Sequence, residues 1–460
     1  MISRATLTRQ GQRALQCHKK PCISRCFASA ASGSFNYETG DAAGVKVASR
    51  DLPGPTTHLA VVAKAGTRYQ PLPGFSEALE KFTFKNTWRR SALRITRETE
   101  LLGGQYTSYH SRENLIVGAK FLRDDLPYFA ELMGEVISQT KYTAHELHEE
   151  VIPMMSLSRK AMLGHPDLFA INSAHAVAFH RGLGNPLYPS SSTPMTKYLD
   201  EERLQTYSRV AYSKPNIAIV ANGADHQELM KWVREFFTEV ENSPPSNLPS
   251  PGKEATKYYG GEERIAHDSG NAMVIAFPGS GSNTGGAYKP ESQVLAALLG
   301  GQSHIKWSPG FSLLSKATAA YPQAHVQTDH HTYSDAGLMT VSMSGDANQI
   351  RDASKEVVKA LKSVAAGNVS KEEVKKAIAA AKFEALESGQ NISTGIELTG
   401  AGIIQSGKPF QIDELGKSIE GVTEDQVKKA AKSLLEGKAT VSAVGDLYVL
   451  PFAEDLGLNV

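Results

Sequence analysis

Cysteine is scarce in this sequence: the 460 residues include three, Cys17, Cys22 and Cys26, and all of them lie near the start. Over the rest of the chain, thiol catalysis, zinc–thiolate sites, iron–sulfur ligation and disulfides are therefore excluded. No apolar run approaches the ~20 residues that a bilayer-spanning helix needs, which excludes a membrane-spanning subunit. The formal net charge is only +1, which argues against nucleic acid as the main partner.

Acidic residues are absent before Glu38. Segment 1–27 lacks a continuous apolar core and carries Ser, Thr and six basic residues, namely Arg4, Arg9, Arg13, Lys19, Lys20 and Arg25. This composition is typical of a mitochondrial transit peptide, and the alternative is a disordered basic tail. Arg25 stands three residues before the cut in a matrix-processing pattern, which predicts cleavage between Phe27 and Ala28. Cleavage would change the net charge from +1 to −5 and leave no cysteine.

The rest of the chain has ordinary globular composition, with 41% hydrophobic and 21% charged residues. A stretch rich in Pro and Ser, from Asn242 to Gly252, indicates an extended linker. We therefore predict two domains, 40–240 and 258–460, joined by a linker at 241–257.

The two halves share an order of elements. Predicted strands and helices of the first half recur about 220 residues later, including the strand pairs 105–110 with 114–121 and 323–328 with 337–343. Thr143 with Glu146, and Ser370 with Glu373, each fit a capping box at a helix start. The pattern predicts a domain-scale duplication with an α+β fold, in which each domain is a mixed, mainly antiparallel sheet packed with helices.

One segment carries the candidate chemistry, Gly74–Thr87. Its apolar residues at 75, 78, 79 and 82 have helical spacing, and Phe84-Lys85-Asn86-Thr87 follows. The segment resembles the zinc proteases of the pitrilysin and mitochondrial processing peptidase family, which carry His-x-x-Glu-His and then Phe-Lys-Gly-Thr here. Further stretches similar to that family are Gly103–Glu113, Leu122–Pro127, His175–Phe179 and Leu183–Pro186.

The motif departs from that family at the metal ligands. Zinc in such a site needs two neutral imidazoles one helical turn apart and a carboxylate that activates water. Glu77 and Lys81 stand at the imidazole positions, Glu80 keeps the carboxylate position, and Met155 stands where the family has its third ligand. The resemblance therefore implies a degenerate site with no metal, no cofactor and no catalytic residue. We expect Glu77 and Lys81 to form an i,i+4 ion pair worth about 0.2–0.5 kcal/mol.

Two histidine groups are weaker metal candidates. His145 and His148 are three residues apart, one fewer than in a zincin motif, and a solvated helix face is the preferred interpretation. His325, His330 and His331 flank a predicted turn, where ordinary turn and strand-end positions are preferred over a metal site.

Non-catalytic members of this family include the core proteins of the cytochrome bc1 complex, respiratory complex III. The resemblance to them implies an assembly role at the matrix side of the mitochondrial inner membrane, peripheral and within a dimeric complex. The implied partners are core protein 1, cytochrome b, cytochrome c1 and the Rieske protein. The alternatives are a non-catalytic α subunit of the mitochondrial processing peptidase and, less consistent with the ligand positions, an active zinc endopeptidase.

Overall fold

The computed structural model describes residues 36–190, 193–244, 255–302 and 310–460. The predicted transit peptide, with Phe27 and Ala28, lies outside the described residues, as does most of the predicted linker. The domain boundaries stay a prediction.

A six-stranded sheet lies in the first half, with the strand order β1-β2-β6-β3-β5-β4. Strands β2 and β6 run parallel, and the other neighbours run antiparallel. Side chains alternate between its faces, so that Leu59 and Val61 of β3 face one core cluster while Ala60 and Val62 face another. The strands are β1 (Glu38–Ala42), β2 (Val45–Arg50), β3 (Thr56–Ala63), β4 (Gln105–His110), β5 (Leu115–Leu122) and β6 (Ile217–Asn222).

The second half repeats this sheet, and its described residues contain no counterpart of β1. Its order is β7-β11-β8-β10-β9, and β7 and β11 form its parallel pair. The strands are β7 (Gly261–Ala266), β8 (Asn271–Pro278), β9 (Ala324–Thr332), β10 (Gly337–Gly345) and β11 (Thr440–Gly445). The matching strands have the same order and the same relative directions in both halves, which supports the predicted duplication. The predicted α+β class is confirmed.

Helices pack on both faces of each sheet. They are α1 (Phe75–Phe82), α2 (Ala92–Leu101), α3 (Leu126–Gln139), α4 (Ala144–Glu146), α5 (Ile152–Leu163), α6 (Pro166–Phe179), α7 (Glu201–Ala211), α8 (His226–Phe236), α9 (Pro290–Leu299), α10 (Leu313–Ala317), α11 (Ala347–Ala366), α12 (Lys371–Gln390), α13 (Ile392–Ser406), α14 (Ile412–Glu420) and α15 (Glu424–Glu436). A π-helical turn, Leu147–Val151, joins α4 to α5.

One helix from each half packs against the sheet of the other half. Helix α6 belongs to the first half of the sequence but packs on β8 and β11, and its stripe Ala170, Ala174 and Ala178 is fully buried there. Helix α13 belongs to the second half and packs on β3 and β6, with Gly400 against Val62. Small residues let both helices approach the sheets closely. Two of the hydrophobic clusters therefore combine residues of both halves, while the largest cluster of each half is its own.

Candidate functional site

Helix α1 is unusual because two of its three charged residues, Glu77 and Glu80, are buried together with its apolar ones. Glycine at the N-cap position 74 has a φ of 97°, a left-handed conformation that glycine adopts without strain. The Gln70 side-chain carbonyl accepts hydrogen bonds from the backbone N–H groups of Gly74 and Ser76, both at 3.2 Å. The helix start is thus fixed, and Glu77 and Glu80 are placed inside the protein, 1% and 7% exposed.

Glu80 lies between two partners. The Lys81 Nζ is 2.6 Å from its Oε1, and the ring Nδ1 of His110 on β4 hydrogen-bonds its Oε2. The other ring nitrogen of His110 donates to the carbonyl oxygen of Leu187 at 3.1 Å. Burial alone would raise the pKa of Glu80, but His110 and Lys81 outweigh it and lower that pKa. Burial would likewise lower the pKa of His110, and Glu80 raises it instead. The three groups form a charged, hydrogen-bonded cluster.

Glu77 has a different environment. Neither of its carboxylate oxygens has a hydrogen-bond partner among the described residues. Burial raises its pKa to about 7, against the opposing charges of His110 and Lys81 and the hydroxyl of Ser158 on α5. Around neutral pH this carboxyl is therefore partly protonated. The predicted ion pair between Glu77 and Lys81 is wrong, because Lys81 bonds its neighbour Glu80 instead.

Helix α5 brings Met155 under the start of α1. Met155 is 1% exposed, and a Cβ atom at Gly74 would lie 3.3 Å from its Cε. One turn later in α5, the Ser158 side chain has a small lowering effect on the pKa of Glu77. The structure thus brings Glu77 and Met155 to the contact between α1 and α5, while Glu80 bonds His110 on β4 and Lys81. Sequence reasoning missed His110 and Ser158, since their closeness to α1 depends on strand and helix packing.

Comparison with known proteins gives two family matches. Residues 46–190 match the family described as insulinase (peptidase family M16), and residues 198–381 match the peptidase M16 inactive domain. The chain is 52% identical, over the full length of both, to a Neurospora crassa protein named cytochrome b-c1 complex subunit 2, mitochondrial. A protein of the same name from Yarrowia lipolytica is 34% identical over 92% of this chain and 97% of its own length. The human protein of that name is 26% identical over 90% of each chain.

The chain belongs to peptidase family M16. Within it, the full-length similarity groups the chain with the proteins named subunit 2 of the mitochondrial cytochrome b-c1 complex. The resemblance seen in the sequence is thereby confirmed. Relatives in fungi and mammals carry this name, which supports the complex III interpretation and not the alternative of a processing-peptidase α subunit.

The two weaker histidine groups of this M16 chain lie on different elements, one on α4 and the π-helical turn and the other on strand β9. His145 and His148 are exposed on α4 and the π-helical turn. His330 and His331 are neighbours on β9 near its end, so their side chains point to opposite faces, while His325 lies near the strand's beginning. Among the described residues, no group of three or more His, Cys, Asp or Glu side chains is arranged to hold a metal ion.

A cavity of about 430 Å³ lies between the two halves of the M16 fold. Arg112, His175, His331 and Tyr333 line it. The His175 ring donates from Nδ1 to the carbonyl of Ile171 at 2.7 Å and accepts at Nε2 from the Tyr333 hydroxyl at 2.8 Å. Burial, together with Arg112 and His331, lowers the pKa of His175 well below its ordinary value. This histidine is therefore neutral and structural.

Proposed function

We propose that this chain is the non-catalytic core subunit 2 of mitochondrial respiratory complex III, with a role in assembling the complex that transfers electrons from ubiquinol to cytochrome c. The observation that carries the proposal is the 52% identity over the whole length of a protein named as subunit 2 of that complex. A shared role is the simplest reason for similarity that extends across both halves and their exchanged helices.

The ligand positions support a role without peptidase activity. A lysine ammonium that is paired with Glu80 has no free lone pair for a metal and repels a cation. A thioether such as that of Met155 is a soft ligand, whereas zinc sites in proteins use Cys, His, Asp and Glu. Glu77 alone is a chemically acceptable ligand. The residues present do not fit zinc, and we infer that Glu80 has no metal-bound water to activate.

The proposed location is the matrix side of the inner membrane. No helix in the described part of the chain is long and apolar enough to cross a bilayer. Attachment to the membrane would then run through partners, for which we propose core protein 1, cytochrome b, cytochrome c1 and the Rieske protein. Obligate interfaces of this kind typically bury more than about 2,000 Å².

Deleting the chain from its own organism tests the proposal. Native gels of the deletion strain should show loss of assembled complex III, and ubiquinol-dependent cytochrome c reduction should fall with it. A strain carrying Glu77→Gln, which keeps the shape of the side chain and removes its charge, is the matched control and should assemble and reduce cytochrome c normally. An assembled, active complex without the chain would refute the role. Normal assembly with accumulated precursor proteins would favour the processing-peptidase alternative.

A further inference from the structure

Two equivalent hairpin turns meet where the halves of the molecule touch. Turn 111–114 joins β4 to β5, and turn 333–336 joins β9 to β10. Each turn is closed by the same hydrogen bond, from Ser111 N to the Asn114 carbonyl at 2.7 Å and from Tyr333 N to the Ala336 carbonyl at 2.9 Å. A carboxylate precedes the second strand by two residues in each turn: Glu113 in one, Asp335 in the other. The duplication thus places two equivalent carboxylates on one contact.

One arginine of the first half bonds both carboxylates. The Nη1 atom of Arg68 lies 2.8 Å from Glu113 Oε1 and 2.7 Å from Asp335 Oδ1. Its Nη2 atom lies 2.8 Å from Asp335 Oδ2, so that the pair with Asp335 is bidentate. The side chains of Arg68 and Glu113 are each 8% exposed. Two parallel hydrogen bonds between charged groups fix the relative orientation of the groups as well as their distance.

Neighbouring backbone groups extend this contact. Glu113 accepts hydrogen bonds from the backbone N–H of Ser334 at 2.9 Å and from its hydroxyl at 2.6 Å. Asp335 also accepts from the backbone N–H of Thr256 at 3.0 Å, at the end of the stretch that joins the halves. Arg68 and Thr256 overcome the effect of burial and lower the pKa of Asp335 to about 2. Each carboxylate therefore accepts hydrogen bonds from a residue of the other half, Glu113 from Ser334 and Asp335 from Arg68.

The second half has no equivalent arginine at this point. Thr67 N donates to the Ser111 carbonyl at 3.3 Å, and Ser282 N donates to the Tyr333 carbonyl at 2.8 Å, so these two residues correspond. The residue equivalent to Arg68 is then Asn283, which is short and uncharged. Among the described residues, no other lysine or arginine forms an ion pair with Glu113 or Asp335.

We propose that Arg68 is an electrostatic latch that sets the angle between the two halves by bonding the duplicated carboxylates Glu113 and Asp335 at once. The exchanged helices α6 and α13 hold the halves together mainly through apolar contacts. Single hydrogen bonds add to them, from the Tyr333 hydroxyl to His175 of α6 and from Lys46 to the Ile403 carbonyl of α13. The two parallel hydrogen bonds between Arg68 and Asp335 constrain the angle between the halves. Loss of the latch should therefore leave both halves folded and change their relative orientation. This proposal concerns the chain itself and holds whether or not the proposed function does.

Distance measurement between the halves tests the latch. The full chain, with its three cysteines replaced by serine, takes spin labels at Glu235→Cys on α8 and Asp425→Cys on α15, which are both exposed. Pulsed electron paramagnetic resonance then gives the distribution of label distances. We expect Arg68→Met to shift and broaden this distribution. Arg123→Met is the matched control, because Arg123 pairs with Asp51 at 2.8 Å on the surface of the first half.

A second variant covers the case in which Arg68→Met does not fold. Asp335→Asn keeps the buried pair between Arg68 and Glu113 and weakens the contact from the more exposed end, where Asp335 is 33% exposed. It too should broaden the distribution. When Arg68→Met folds, adding Asp335→Asn to it should cause little further change, because one contact has already been lost. A distribution in the folded variants that matches the parent chain would overturn the latch.

Discussion

The ammonium nitrogen of Lys81 lies 2.6 Å from Oε1 of Glu80, the residue before it, and not beside Glu77 one helical turn earlier. His110 occupies the other oxygen of the same carboxylate. Glu80 thus bonds both Lys81 and His110. Glu77 is buried without a hydrogen-bonded partner among the described residues. Two carboxylates on one short helix therefore have opposite pKa shifts, upward for Glu77 and downward for Glu80.

The first prediction concerns the pH dependence of stability. Glu77 has a folded-state pKa of about 7, above the 4.5 expected for an exposed glutamate. Between these values the folded chain holds a proton that the unfolded chain has released, so the free energy of unfolding falls as pH rises. We expect Glu77→Gln to remove this loss. At pH 8 the free energy of unfolding of the variant should exceed that of the parent chain by up to about 3 kcal/mol. Urea unfolding of the isolated chain at pH 5 and pH 8 measures the difference.

Glu80→Gln is the control for this prediction and should behave oppositely. The pKa of Glu80 is lowered, so its stabilising effect is present at neutral pH and is lost as pH falls through its folded-state value. Removing that charge also leaves His110 and Lys81 without their partner. Glu80→Gln should therefore destabilise the chain at pH 8. Equal effects of the two substitutions at pH 8 would contradict the opposite environments described for these carboxylates.

A second prediction concerns metal content. We expect the purified chain to contain far less than one zinc per molecule and to show no chelator-sensitive peptidase activity, since the sequence resemblance assigns Lys81 and Met155 to ligand positions. Elemental analysis after desalting measures this. Glu77→His with Lys81→His is a useful positive control, because two imidazoles one turn apart on α1 should retain more zinc than the parent. Stoichiometric zinc in the parent, lost on Glu77→Ala, would show that the site still binds metal.

Much of the sheet structure follows from alternation in the sequence. Strand β4 has the predicted bounds, and β5, β9 and β10 differ from theirs by a few residues. Strands β1, β2 and β7 were not predicted, because their segments ETGDA, VKVASR and GEERIA contain few apolar residues. The exchange of α6 and α13 was not predicted either, since nothing in a helix's own periodicity says which sheet it covers.

Helix capping shows why local patterns sometimes fail. The predicted capping box at Ser370 and Glu373 is confirmed. The one at Thr143 and Glu146 is wrong, because the Thr143 side chain accepts no hydrogen bond from the helix backbone and its hydroxyl donates to the Glu146 carboxylate instead. The other oxygen of that carboxylate accepts hydrogen bonds from the side chain and backbone of the distant residue Asn86, at 2.7 and 3.2 Å. Helix α1 was predictable from its apolar spacing, whereas the groups that contact Glu77 and Glu80 lie on α5 and β4.

The third prediction tests the exchanged helix α13. A Cβ atom added at Gly400 would lie 2.5 Å from Cγ2 of Val62 on β3, closer than side chains tolerate. We expect Gly400→Ala to destabilise the chain by about 1–3 kcal/mol, because the helix must move away from the sheet. Gly416→Ala on α14 is the control: its Cβ would be 3.6 Å from the nearest side-chain atom, and the change should stabilise the chain by about 0.5–1 kcal/mol. Urea unfolding compares them, and equal stabilities would contradict close packing of α13.

The fourth prediction concerns processing of the N-terminus. Segment 1–27 has six basic residues and no acidic one, and Arg25 stands three residues before the predicted cut. Protein isolated from mitochondria should therefore begin at Ala28, and its intact mass should be lower by the mass of those 27 residues. Arg25→Ala should slow or shift the cleavage, while Arg4→Ala, far from the cut, should not move it. The predicted cut precedes Tyr37, which is 5% exposed and lies beside Gly395 of α13, so cleavage would leave this contact intact. A mature protein that retains residues 1–27 would show that the basic segment is a tail and not a transit peptide.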